Sequence, residues 1–142
     1  MTDEMLLLEN QLCFALVTAA RNVVSAYRPI LAPLELTHPQ YLVMLTLWER
    51  SPRSLTDLAE EIAMEPATAS PLVKRLEAQG LLTRDRRPGD ERRLDITLTA
   101  AGRALREKAL EVPGQVAEAT GLSLEQLMLI REALEPLAGR RN

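Results

Sequence analysis

The chain holds one cysteine, Cys13, and one histidine, His38. A thiolate is a nucleophile toward peroxides and disulfides, and an imidazole can lend it a hydrogen bond or a positive charge. A single cysteine excludes an internal disulfide and a cysteine-based zinc site, and a single histidine leaves no His-x-x-x-His pair, so neither metal nor cofactor is expected. On residue type alone a lone cysteine such as Cys13, set among Leu12, Phe14 and Leu16, is most often an inert core residue. His38 reads equally as a water-exposed residue at a helix start.

A second chemistry lies in the charge distribution. The net charge is −3, yet residues 74–93 hold seven basic residues (Lys74, Arg75, Arg84, Arg86, Arg87, Arg92, Arg93) against four acidic ones, whereas residues 1–73 hold four against nine. A basic island in an acidic chain is the footprint of a localised DNA contact, and on charge alone it is also that of a solvated face.

The elements that must carry these groups are mostly helical. The 142 residues suit one domain; aromatics are only 3% of the chain, so the core is aliphatic. No signal-like or membrane-spanning apolar run is present in the sequence, and a cytoplasmic protein without membrane contact is expected. The periodicity predicts a first helix from about Glu4 to Tyr27, stopped by Pro29. A second starts at Thr37-His38-Pro39-Gln40, a capping box, and runs to about Arg50. Ser54 with Asp57 forms a second box ahead of a helix. Ala63-Met64-Glu65 then separate it from a Pro66-led helix ending at Gly80. Leu81–Arg84 and Arg93–Leu98 read as strands around a polar turn, 86–92. Thr99 caps a helix that Gly102 and Pro113 could bend, and Ser123 with Gln126 caps the last one.

Helix, short turn, helix and a hairpin with a basic tip make a winged helix-turn-helix. Its second helix can enter a major groove about 12 Å wide, where the hydroxyls of Thr68 and Ser70 reach base edges or phosphates. Lys74 and Arg75 suit backbone phosphates. Arg86, Arg87, Arg92 and Arg93 on the hairpin suit a narrow minor groove. A protein-binding winged helix with a solvated hairpin is the alternative. The fold class is thus mainly α with a small β-hairpin wing, in a single domain over 1–142. Residues 37–99 form the winged helix-turn-helix. Residues 1–35 and 103–142 supply helices for a homodimer, because the stripes Leu8, Leu12, Leu16 and Leu127, Ile130, Leu134 exceed what one small domain needs.

Leu81-Leu82-Thr83-Arg84, Asp90-Glu91-Arg92-Arg93 and Ile96-Thr97-Leu98-Thr99-Ala100-Ala101-Gly102 resemble the wing of MarR-type transcriptional regulators. By that resemblance Asp90 orders the wing and Arg92 enters the minor groove. Upstream, Leu8–Leu16, Tyr27-Arg28-Pro29 and Pro39–Leu45 resemble the organic-hydroperoxide-sensing repressors of that family. There the cysteine matching Cys13 is oxidised and DNA is released, and the tyrosine matching Tyr27 hydrogen-bonds the reduced thiol. The chain departs from the pattern at His38, where a second tyrosine is usual, at Val17, where an aromatic is common, and at Glu65-Pro66-Ala67, where an Asp-Ser-Gly run is usual.

Tyr27 shares the first helix with Cys13 but lies fourteen residues on, about 21 Å along the axis. A Cys13–Tyr27 contact therefore requires a second chain, with His38 as a further donor and, if protonated, a further pull on the thiol. A lone cysteine cannot resolve a sulfenic acid within its own chain, so a low-molecular-weight thiol is the expected co-reactant beside the organic hydroperoxide. Two other functions fit the same residues. One is a regulator answering a phenolic or aromatic-acid ligand between the dimer helices and the reading head. The other is a thiol peroxidase built on Cys13 and His38.

Overall fold

Asn10 and Gln11 decide where the first long helix begins. The Gln11 amide donates to the carbonyls of Met5 at 2.9 Å and Leu7 at 3.0 Å, and the Asn10 amide donates to that of Glu4. Such side-chain bonds compete with α-helical backbone pairing. In the computed structural model, which describes residues 3–139, the chain before them forms two short 3₁₀ turns, Asp3–Leu6 and Leu8–Asn10. Helix α1 then runs Leu12–Leu31, with Pro29 inside it. The expected stop at Tyr27 is thus wrong. Pro29 cannot donate a hydrogen bond to the Ser25 carbonyl in the last turn, and both residues are exposed, so the loss falls where solvent can offset it.

Helix α2, His38–Glu49, starts at the expected box: Thr37 and Gln40 cap each other reciprocally. Strand β1, Arg53–Ser54, was not legible in the sequence, being two residues long. Helix α3 covers Leu55–Glu61 and α4 covers Pro66–Ala78. Ser54 caps α3 by accepting the Asp57 N–H at 3.1 Å, but Asp57 does not return the bond because its carboxylate is held by arginines. The turn between α3 and α4 begins one residue early, at Ile62, since Ala63 takes a left-handed φ of 59°. Gly80 ends α4 at φ 81°, a conformation cheap only for glycine.

Strands β2, Leu82–Arg87, and β3, Asp90–Leu98, pair antiparallel, with β1 on the other side of β3. Both strands extend further than expected, so that the hairpin turn shrinks from 86–92 to Pro88-Gly89, with a register shift between Arg86 and Arg87. Helix α5 spans Ala100–Ala109, α6 Val112–Thr120 and α7 Leu124–Ala138. Gly102 does not bend α5: the break falls at Leu110-Glu111, before Pro113. Gly102 is instead a contact residue, because a Cβ there would collide with the Leu81 carbonyl, and its own carbonyl accepts the Trp48 indole N–H at 2.8 Å. The core fills the winged segment, where Val43, Met44, Leu58, Val73, Leu76 and Ile96 are each 0% exposed.

Candidate functional site

Helix α4 turns Ala69, Val73 and Leu76 into the core, which leaves its opposite face to solvent. Thr68, Lys74 and Arg75 are exposed and Ser70 is half-buried. A groove of about 720 Å³ separates α3 and α4 from the hairpin, and it brings together Ser70, Lys74, Arg86, Asp90 and Arg92. Thr68, Arg75 and Arg87 lie outside that groove. Asp90 accepts the backbone N–H of Arg92 at 3.1 Å and so folds the hairpin end of β3. Arg92 is exposed and enters no salt bridge among the described residues. Arg87 and Arg93 both approach Asp95, at 3.7 and 3.1 Å. Arg84 also lines the groove and pairs with Glu77 at 3.0 Å, and its hydrogen bonds hold the Glu77 carboxyl below its usual range.

One positioning group escaped the sequence reading. Arg53 is 6% exposed; its Nε donates to the Thr46 carbonyl at 2.9 Å and the Arg50 carbonyl at 3.2 Å, while its guanidinium meets Asp57 at 3.0 Å. Arg53 also pairs with Ile96 of β3, so one residue ties the end of α2, the start of α3 and the wing. Burial alone would raise the Asp57 carboxyl, but hydrogen bonds and charge from Arg53 and Arg50 outweigh it and hold it low. The signal available was the four-residue spacing of Arg53 and Asp57, which reads more simply as a surface pair.

The thiol lies elsewhere. Cys13 is the second residue of α1 and is exposed, as are Leu12, Phe14 and Val17 around it. Tyr27, near the other end of the same helix, packs on His38 with ring centroids 4.8 Å apart and on Tyr41 at 5.9 Å. Tyr27 and His38 are thus brought together within one chain, and Cys13 is not. Burial raises the phenol of Tyr27, and burial followed by the neighbouring Tyr27 raises that of Tyr41, so both remain hydrogen-bond donors at neutral pH. Burial lowers His38, which favours the neutral imidazole over the protonated form considered from the sequence. Tyr41 was not singled out either, although it follows His38 by three residues on the same face of α2.

Residues 36–94 match the model of the MarR family. The organic hydroperoxide resistance transcriptional regulator of Bacillus subtilis is 41% identical over 92% of this chain and 88% of its own length. Reduced AbfR of Staphylococcus epidermidis, solved bound to DNA, superposes with a TM-score of 0.80 at 33% identity, over 97% of this chain and 96% of that one. Bordetella bronchiseptica BpsR, solved in a study of how 6-hydroxynicotinic acid regulates its DNA binding, gives 0.82 at 27% identity, over 95% and 98%. These likenesses span nearly the whole chain and join the winged fold to DNA binding rather than to catalysis, which removes the thiol-peroxidase alternative. The chain belongs to the MarR family of DNA-binding transcription regulators.

Proposed function

We infer that the chain is a homodimeric repressor that leaves its operator when an organic hydroperoxide oxidises Cys13. The observation that carries this reading is the division of α1: an exposed cysteine at one end, and at the other an aromatic cluster whose hydroxyls stay protonated. A second copy with its α1 crossing antiparallel would set Cys13 beside that chain's Tyr27 and His38. The same pairing would cover the exposed apolar surface of α1 and α7. The 41% identity to a regulator of organic hydroperoxide resistance supports the choice of oxidant.

The chemistry balances with two reactants. The Cys13 sulfur attacks a peroxide oxygen, the O–O bond breaks, and the alkoxide leaves as an alcohol, giving a sulfenic acid. A low-molecular-weight thiol then displaces water to form a mixed disulfide, and a second thiol restores Cys13. A donor hydrogen bond from Tyr27, and a neutral one from His38, would favour the attacking thiolate. Two amide hydrogen bonds join the start of α2 to the end of α4, which supports coupling between the two. The Gln40 Nε2, in the cap beside His38, donates to Gln79 Oε1 at 3.3 Å, and the Gln79 amide donates to the Glu35 carbonyl at 2.9 Å, at the end of α4. On the DNA side, Thr68, Ser70, Lys74 and Arg75 serve the major groove and phosphates. Arg86, Arg87 and Arg92 serve the wing, with Asp90 shaping it.

A gel shift on the DNA upstream of the regulated gene tests the reading. Reduced protein should bind, organic hydroperoxide should release it, and a thiol reductant should restore binding. Cys13→Ser should bind and ignore peroxide, and His38→Ala should be oxidised more slowly. Release that persists in Cys13→Ser would overturn the redox switch. It would favour a regulator answering an aromatic acid, for which a cavity of about 460 Å³ beside Ile30, Leu34 and Lys108 is available. Sedimentation as a monomer at micromolar concentration would overturn the cross-chain site.

A further inference from the structure

The outward face of α4 is not the one its hydroxyls suggested. Ala69, Val73 and Leu76 point into the core. At about 100° per residue, Ala67 and Pro71 lie within about 30° of the opposite direction, and Lys74 about 50° from it. Thr68 and Ser70 fall roughly 70–90° to either side. Ala67 and Pro71 are both exposed, so the centre of the outward face of α4 is apolar.

We propose that Ala67 and Pro71 are specificity-determining residues that read thymine methyl groups in the major groove of the operator. Neither side chain can make a hydrogen bond, and Pro71 also lacks a backbone N–H. Against the edge of a guanine, cytosine or adenine these two residues would strip water from donors and acceptors and return nothing. The thymine C5-methyl is the apolar group that the major groove displays, and burying it against Ala67 and Pro71 is favourable. Lys74, next on the same face, has the charge to hold the adjoining phosphates. The inference rests on α4 being the helix that enters the groove.

Duplexes selected from a random library by the reduced full-length chain provide the probe, with individual thymidines then replaced by deoxyuridine, which removes only the methyl. The selected sites should carry thymine at fixed positions, and deoxyuridine there should weaken binding about fourfold per methyl. The Ala67→Gly/Pro71→Ala variant should bind the two duplexes equally. Equal affinity of the unaltered chain for both duplexes would overturn the proposal, as would an undiminished deoxyuridine penalty in the variant. Lys74→Ala separates the two ways of failing. If it weakens binding while deoxyuridine has no effect, α4 enters the groove without reading methyls. If neither matters, α4 is not the reading helix.

Discussion

The winged segment and the last helix use the same aliphatic residues to opposite ends. In the segment, Val43, Met44, Leu58, Val73, Leu76 and Ile96 are all 0% exposed and interlock around α2, α3, α4 and β3. In α7, Met128 is 56%, Leu129 59% and Leu137 60% exposed, and no residue is buried. Both regions are capped by complete Thr/Ser–Gln boxes, so the difference is not one of helix quality. The head buries its apolar surface within one chain, whereas α7 and the start of α1 leave theirs exposed, as an interface with another surface would require. Stability should therefore reside in the head and association in the terminal helices.

The largest effect expected from that division is in the core. Leu76→Ala should lower unfolding free energy by about 2–5 kcal/mol, through lost transfer and the cavity left behind. Leu129→Ala should leave the stability of the isolated chain nearly unchanged and raise the concentration at which sedimentation detects association. Equal destabilisation by the two would mean that α7 belongs to the same cooperative core as the head.

A second contrast lies within the charged residues. Arg92 stands on the groove between α4 and the hairpin, while Arg103 stands on α5 outside the basic island. Arg92→Ala should cost about 1–3 kcal/mol of DNA affinity and reduce the salt dependence by about one unit of slope. Arg103→Ala should do little. Equal, negligible losses in a fluorescence titration would show that the hairpin is not a DNA wing.

The joint between head and wing carries a pH signature. The carboxyl of Asp57 is held low by Arg53 and Arg50, so its contribution to stability is present above the unfolded-state pKa and is lost as pH falls through the folded value. Asp57→Asn should cost about 1 kcal/mol near neutrality, since a partly exposed carboxylate is screened although Arg53 is buried. Its unfolding free energy should vary less than that of the unaltered chain as the pH is lowered from 5 to 3. An identical acid limb in urea titrations would assign acid sensitivity to other groups.

The head was the more legible region because its instructions are local. Thr37–Gln40, Ser54, Thr99 and Gly80 each act within a few residues, and each does in the structure what its type implies. The errors came from competition that spacing does not display. Asn10 and Gln11 divert the backbone before α1, Pro29 is tolerated in a final turn open to water, and Asp57 forsakes its box for two arginines. Strand β1 consists of Arg53 and Ser54, paired to β3 while the buried Arg53 side chain is held by the Thr46 carbonyl, which no two-residue pattern announces. For the thiol, the distance along α1 was readable, but the packing of Tyr27 on His38 and Tyr41 was not, because it depends on how α1 lies against α2. On α4 the hydroxyls were noticed for their chemistry, while the direction of the face depended on which residues the core took.

The smallest effect sharpens the same division from inside the head. Ala63 sits in the left-handed region at φ 59°, and the Met64 N–H reaches back to the Ala59 carbonyl at 2.9 Å to close α3. A Cβ in that conformation costs roughly 1–2 kcal/mol, and glycine removes the cost while adding about 0.4–1 kcal/mol of chain entropy to be lost on folding. The difference predicts that Ala63→Gly stabilises the chain by about 0.5 kcal/mol, visible as a small rise in Tm. Ala63 is exposed and its strain is local, so reduced DNA affinity and dimer association should stay where they were. A fall in stability would mean that the turn between α3 and α4 relaxes around alanine at no cost. A changed DNA affinity with unchanged stability would instead mean that this turn sets the approach of α4 to the groove.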